Sequence, residues 1–290
     1  MPRSDARPAA TSNRLPDERA GLQHRRMLQN EILSYYERGG ERNRLASGAG
    51  RLEFLRTWDI LSRVLPPAPA QILDVGGATG AYAGPLAAAG YQVRLVDPVP
   101  EHVSAAAALP GVTAVQGDAR DLPAEDASAD VVLLFGPLYH LPERADRLTA
   151  WREARRVARP GGVVVGAVIS RFASLLDGIV RGYYADPDFE AVVDRALTDG
   201  VHRDPTGGNR WFTSAYFHHP DEAAEEAAAA GLSEVRTVAV EGPVWTTGPV
   251  LEEFLADPAM TEVMLGRIRR IEEEPSMWGA SSHLLAIGRA

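Results

Sequence analysis

Three carboxylates and three histidines stand where this chain could do chemistry. Asp74 sits inside the apolar run Ile72–Val75, directly before the small-residue loop Gly76-Gly77-Ala78-Thr79-Gly80. Asp97 ends a second apolar run, Tyr91–Asp97, and Asp118 follows a third, Val112–Gln116, in Gly117-Asp118-Ala119-Arg120. An ionised carboxyl offers acceptors only, and two oxygens of them, which suits gripping hydroxyls or amines. His140 lies in Gly136-Pro137-Leu138-Tyr139-His140-Leu141, after the run Ala129–Phe135. Imidazole titrates near neutral pH, so His140 is the leading candidate to take a proton, with Tyr139 beside it. A packing or capping role in the strand-to-helix loop is its competing reading. The adjacent pair His218-His219 could bind a metal, but no acid–histidine spacing near it completes a site, and its place before Pro220 suits setting a loop. No metal site is expected.

These groups can meet only if their runs end at one edge of a sheet. Gln71–Val75, the glycine loop and helical Tyr82–Ala89 make a strand, turn and helix, the unit with which α/β proteins bind nucleotides. Small residues let the backbone approach a ligand, and the helix N-terminus offers unpaired N–H groups. The dinucleotide fingerprint G-x-G-x-x-G fails, because Gly76 is followed by Ala78 and Ala81 at the other two places. Tyr91–Asp97, Val112–Gln116, Ala129–Phe135 and Val163–Ile169 read as further strands, the fourth as continuously apolar as a central parallel strand should be. Trp151–Val157 reads as a helix, and Arg159-Pro160-Gly161-Gly162 as a turn before the next strand. This alternation implies a parallel, doubly wound sheet, with Gly136–Leu141 at its switch-point crevice.

On both sides of that core the pattern changes. Leu22–Tyr36 and Leu52–Val64 read as helices joined by a loop over Gly39–Gly50, and Pro66-Pro67-Ala68-Pro69 is a stiff lead into the first strand. Phe172–Tyr184 and Asp188–Leu197 look helical, and His202–Arg210 looks like a loop. Asp221–Ala230 is a helix stopped by Gly231, Ser233–Val240 and Ser282–Gly288 are the last strands, and Pro249–Ala256 and Met260–Glu273 are helices between them. Trp211, Phe212, Tyr216, Phe217 and Trp245 could wall a flat, apolar pocket, or pack this cap onto the core.

The glycine loop fits acid-x-Gly-x-(Gly/Ala)-x-Gly through Asp74, Gly76, Ala78 and Gly80, with alanine at the usual third-position glycine. It resembles motif I of the class I, seven-strand S-adenosylmethionine-dependent methyltransferases, bacterial small-molecule type. The ordered series Asp97, Asp118, Gly136–Leu141 and Arg159–Gly162 resembles the same family. Tyr35-Tyr36, Glu41, Arg44-Leu45 and Glu53-Phe54 resemble its lid helices, and Ala215–Pro220 and Ser281–Leu285 its flanks, so the likeness covers about residues 30–290.

The resemblance implies an α/β fold: a doubly wound, seven-strand, mostly parallel sheet with N-terminal lid helices and helical cap insertions. Residues 1–19 would be a disordered arm, 20–69 the lid, and 70–290 the core, with insertions at about 170–215 and 241–280. It implies S-adenosylmethionine as cofactor, S-adenosylhomocysteine as product, and no metal. Asp97 would grip the ribose hydroxyls and Asp118 the adenine amino group, with the next backbone N–H on a ring nitrogen. Tyr36 and Arg44 would approach the methionine end; for Arg44 the competing reading is a helix ion pair with Glu41. Asp74, Gly76, Gly77, Ala78, Gly80, Pro98, Ala119, Arg120, Phe135 and Gly136 complete the implied cofactor site. From the residues themselves, Asp74 should order the loop by accepting backbone N–H bonds.

Composition narrows the function. The 290 residues carry 39 acids against 30 basic residues, a net charge of −9, which weighs against a nucleic-acid phosphate track. Every basic residue is arginine, so Schiff-base or lysine-base chemistry is excluded; with abundant alanine this suggests a GC-rich bacterial genome. The arginines at 152, 155, 156 and 159 suit a solvated helix face. Cysteine is absent, which excludes disulfides and thiolate catalysis. No apolar run approaches the ~20 residues of a membrane helix, and no signal core is evident, so a cytoplasmic protein, monomeric or homodimeric, is expected. The leading function is methyl transfer to oxygen, nitrogen or activated carbon of a small aromatic or apolar metabolite, in specialised metabolism. The alternatives are an RNA or protein methyltransferase, or a catalytically silent cofactor-binding partner subunit.

Overall fold

The computed structural model describes residues 44–204, 206 and 210–290. The arm over 1–19, the helix expected over 22–36, Tyr36 and Glu41 lie outside the described residues. Among the described residues, helix α1 (Gly48–Val64) leads into β1 (Gln71–Val75), α2 (Ala83–Ala88), β2 (Gln92–Asp97), α3 (Pro100–Ala107), β3 (Val112–Gln116) and β4 (Ala129–Leu134). Then come α4 (Pro137–His140), α5 (Arg144–Val157) and β5 (Ala158–Ile169). A cap follows: α6 (Ala173–Arg181), α7 (Pro187–Asp199), β6 (Val201–His202) and β7 (Ala215–Tyr216). The chain closes with α8 (Glu222–Ala229), β8 (Ser233–Ala239), α9 (Pro249–Ala256), α10 (Pro258–Ile268), α11 (Pro275–Trp278) and β9 (His283–Arg289).

Seven strands form one sheet in the order β3-β2-β1-β4-β5-β9-β8, and only β9 runs against its neighbours. The two-residue period of a strand sends Ile72, Val93, Leu95, Val131 and Leu133 to one face, and Leu73, Val75, Val96, Val132 and Leu134 to the other. Both faces are therefore apolar, and both must be covered. Ile60 and Leu61 of α1 with Ala83 and Leu86 of α2 cover the first; Trp151 and Ala154 of α5 with Ala223 and Ala227 of α8 cover the second. After β3 the chain returns to the other side of β1, so the crevice between β1 and β4 is the switch point. The β6–β7 hairpin stands apart from this sheet.

The arginine-rich helix α1 is pinned by charge as well as by packing. Arg56 is fully buried and donates to Asp59 Oδ2 at 2.5 Å, Glu272 Oε2 at 2.5 Å and the Val240 carbonyl at 2.9 Å. Arg63 adds a second guanidinium to Glu272 at 2.7 Å. Every charge there has a partner, the condition under which burial of ions is tolerated.

Several boundaries differ from the sequence expectation. Arg159-Pro160-Gly161-Gly162 is not a turn before β5 but its first part. Pairing jumps from Ala129↔Ala158 to Val131↔Val163, and Pro160, which has no N–H to give, with Gly161 at φ 76°, absorbs the extra length as a bulge. Gly48–Gly50 belong to α1, and Arg44–Ala46 form a 3-10 turn, not loop. Gly136–Leu141 is largely helical: Pro137 at the first position starts α4. The same proline signal starts α3, which local patterning had not marked as a helix. His202 belongs to β6, paired with Ala215, and α10 begins at Pro258, where Asp257 caps the Ala259 N–H at 2.8 Å.

Candidate active site

At the carboxyl end of β1 the loop is drawn tight by its own amides. Gly76 N–H bonds the Val96 carbonyl at 2.7 Å, and Ala78 N–H bonds Asp97 Oδ2 at 3.0 Å. A Cβ on Gly76 would meet Pro137 at 2.6 Å, and one on Gly136 would meet the Gly76 carbonyl at 3.1 Å, so the ends of β1 and β4 touch backbone to backbone. Ala78 holds φ 48°, a left-handed conformation that suits the glycine usual at this position.

Asp74 does not order the loop as expected. It is fully buried, and neither carboxylate oxygen has a hydrogen-bond partner. The Gly76 and Ala78 amides are already spent on Val96 and Asp97, and that of Gly80 on the Gly77 carbonyl. Burial, with the Asp97 charge adding to it, pushes the Asp74 carboxyl up to about 7. A Cβ on Gly77 would run into Asp74 Oδ2, so glycine is what lets this carboxylate lie under the loop.

Asp97 takes over the ordering role. Its Oδ1 accepts from Val99 N–H at 3.0 Å and faces His102 Nδ1 at 3.1 Å, while Oδ2 holds Ala78. It thus joins the ends of β1 and β2 and the start of α3. Pro98 is exposed beside it, and its carbonyl accepts from Gln116 at 3.0 Å. Asp118, one strand further, is clasped by Arg120: Oδ1 accepts the Arg120 backbone at 2.8 Å and Nε at 2.9 Å, and Oδ2 accepts Nη2 at 2.6 Å. Burial would raise its carboxyl, but these bonds outweigh it and hold it below the usual range. Ala119 is buried in the core. The structure therefore brings Asp74, Gly76, Gly77, Ala78, Gly80 and Asp97 together, with Asp118 and Arg120 engaged with each other alongside.

On the far side of the loop, Tyr82 stacks on Phe54 of α1 at 5.4 Å and meets the Phe135 ring edge-on at 5.2 Å. His140 packs against Tyr139 at 4.6 Å and Phe212 at 6.2 Å. Burial, only partly offset by a hydrogen bond to the Ser214 backbone and by the Asp97 charge, lowers its imidazole to about 4. Such a ring is neutral at pH 7 and a weak base. His218 is fully buried, its Nε2 3.7 Å from Glu226 in a structural group with Arg147 and Tyr216, and His219 is exposed. Trp211 packs on Phe189 at 5.2 Å, Phe217 stacks on His202 at 4.7 Å, and the buried Trp245 donates to the Ala280 carbonyl at 2.9 Å, so these rings pack the cap.

A cluster that spacing did not reveal completes this edge. Arg44 pairs with Glu53, its Nη2 2.9 Å from Oε1. His283 Nδ1 lies 2.6 Å from Glu241 Oε1 and 3.7 Å from Glu53 Oε2. One polar atom each from Glu53, Glu241 and His283 falls within 4.8 Å of the others, and the Arg44 guanidinium on Glu53 supplies the positive charge that offsets the two acids. Glu241 stands just past Val240 at the end of β8, as Asp97 ends β2, and an acid near a strand's end was the signal that could have found it.

Residues 73–166 match the family described as "Methyltransferase domain". Over 100 residues the chain is 39% identical to an uncharacterized methyltransferase of Mycobacterium bovis, covering 34% of this chain and 40% of that protein. It is 33% identical over 168 residues to the 27-O-demethylrifamycin SV methyltransferase of Amycolatopsis mediterranei, covering 55% and 53%. These matches thus span about half or less of the relatives' own length. A SAM-dependent methyltransferase structure from Thermotoga maritima superposes with a TM-score of 0.58 at 18% identity, over 90% of this chain and 98% of that one, a likeness of fold. Over residues 73–166 this chain carries a methyltransferase domain of the class I, Rossmann-like kind.

Proposed function

We propose that this protein transfers a methyl group from S-adenosylmethionine to oxygen, nitrogen or activated carbon of a small aromatic or apolar metabolite. The observation that carries the reading is Asp74, a buried carboxylate with no partner, lying under a glycine loop beside Asp97. A buried acid in that state calls for a ligand bearing positive charge. S-adenosylmethionine bears a sulfonium and an amino group, and its ribose offers the two hydroxyls that a carboxylate at the position of Asp97 can accept. The residues present fit the group.

In this reading residues 20–69 are a lid, and the cap over 170–215 and the segment over 241–280 shape the acceptor pocket. When bound, the cofactor supplies an electrophilic methyl group on sulfur. The chain's own task is to align the acceptor with it and exclude water. Asp118 keeps lone pairs beyond those Arg120 uses and can still meet the adenine amino group. The rifamycin relative is named for a small-molecule substrate, and the net charge of −9 suits a small acceptor better than a polyanion. Among the described residues no helix is long and apolar enough to cross a membrane. Calorimetry with S-adenosylhomocysteine tests the reading: binding in the micromolar range or tighter is expected, and no binding at millimolar ligand refutes it.

A further inference from the structure

We propose that His283, oriented by Glu241, is the proton acceptor of this site, and that it serves a hydroxyl group of the small-molecule acceptor; the inference rests on the methyltransferase reading above. His283 is the first residue of β9 and lies opposite Ile169, the last residue of β5, at the carboxyl edge of the sheet. Glu241 is 1% exposed on its side chain and locked: Oε2 accepts from Ser281 Oγ at 2.9 Å and from the His283 backbone at 3.0 Å, leaving Oε1 for the imidazole. With Nδ1 held by a carboxylate, the lone pair of the neutral ring falls on Nε2. The ring keeps 20% of its side-chain surface open, so it is reachable, unlike the fully buried His218.

The charged groups around His283 come from three elements: Glu241 after β8, Glu53 of α1, and Arg44 beyond Glu53 in the 3-10 turn. Burial disfavours the charged ring and Arg44 opposes it, but Glu53 and Glu241 outweigh both and hold the imidazole above its ordinary value. At His140 the Ser214 backbone and the Asp97 charge do not offset burial, and the imidazole is lowered to about 4. Glu53 also borders Tyr82, at the exit of the glycine loop, whose ring meets Phe54 and Phe135. Glu53 thus stands between the histidine and the aromatic rings beside the glycine loop.

The surroundings favour a hydroxyl over an amine. A neutral amine already carries its attacking lone pair, and a charged amine would seek a carboxylate that Arg44, Ser281 and His283 have not already engaged. A hydroxyl must lose a proton. As its oxygen bonds to the methyl carbon, the carbon–sulfur bond breaks and keeps its electron pair on sulfur. The proton passes to Nε2, and Glu241 and Glu53 stabilise the imidazolium.

The test uses the full chain. Nitrogen-15 NMR of labelled histidine, with His283 assigned by its loss in His283→Gln, should show an Nδ1–H tautomer titrating above 6.5, and a lower value in Glu241→Gln. Both variants should bind S-adenosylhomocysteine within about threefold of the parent, since neither touches the glycine loop. Labelled methyl transfer is then measured on a panel of phenols and secondary alcohols, with the matching amines alongside. The hydroxyl members should react, His283→Gln should lower kcat by about 100-fold or more, and Glu241→Gln should move the acid limb of the pH profile downward. The proposal is overturned by parental kcat in His283→Gln, by an unmoved limb or NMR titration in Glu241→Gln, or by a panel in which only amines, or no members, react. A parent that fails to bind S-adenosylhomocysteine is a separate result, and sinks the methyltransferase reading instead.

Discussion

Replacing Asp97 with alanine separates two jobs that one carboxylate performs. As a ligand group it would accept two ribose hydroxyls, each bond to a charged acceptor worth about 1.5–3 kcal/mol. Losing both costs about 3–6 kcal/mol, a weakening of roughly 10²–10⁴-fold. As a structural group it holds Ala78 N–H, Val99 N–H and His102. Orphaning these costs about 2–4 kcal/mol of stability, or a fall in Tm of roughly 5–15 °C for a domain this size. Asp97→Ala is therefore expected to lower both quantities. Calorimetry with S-adenosylhomocysteine, run well below the variant's melting temperature, reads the first, and scanning calorimetry of the free protein reads the second. Affinity within about threefold of the parent, together with a lowered Tm, would make Asp97 only a pin for the loop.

Asp74 links stability to pH with a definite sign. Its folded carboxyl at about 7 lies above the 3.8 of a free aspartate, so its contribution is full below pH 4 and is lost as pH rises through 7. About three units correspond to roughly 4 kcal/mol, so Asp74→Asn should stabilise the free protein at pH 8 but not at pH 4, as denaturant melts at the two pH values will report. The same variant should bind S-adenosylmethionine more weakly at pH 8, because the anion that meets the cation is gone; undiminished affinity in calorimetry would contradict this. Ala78→Gly removes a left-handed alanine at φ 48° and should leave stability unchanged or raise it by up to about 1 kcal/mol, and a large fall in Tm would show that the methyl packs. Arg56→Met strands Asp59 and Glu272 without their shared cation and should cost about 3–5 kcal/mol in urea unfolding, whereas a loss below about 1 kcal/mol would mean that Arg63 and Arg269 suffice.

What the sequence determined by itself was local. Short β-branched runs ended by acids or glycines mark β1 to β4 within a residue, because burial on both faces leaves a continuous apolar signature. The glycine loop was equally legible, since positive φ values and close backbone approach leave few residue choices. Proline and glycine are ambiguous, however. Arg159-Pro160-Gly161-Gly162 reads as a turn and is a bulge, and Gly136-Pro137 reads as a loop and starts a helix, because the same conformational preferences serve either purpose until a neighbouring strand selects one. Which charges meet was settled by the packing of the assembled chain. Residues 44, 53, 241 and 283 come from a turn, a helix and the ends of two strands. Asp74 is left alone because the Gly76 and Ala78 amides turned to Val96 and Asp97, and His140 is disarmed because the cap buries it. Hydrogen-bond partners and desolvation are properties of the assembled edge, and no periodicity along the chain encodes them.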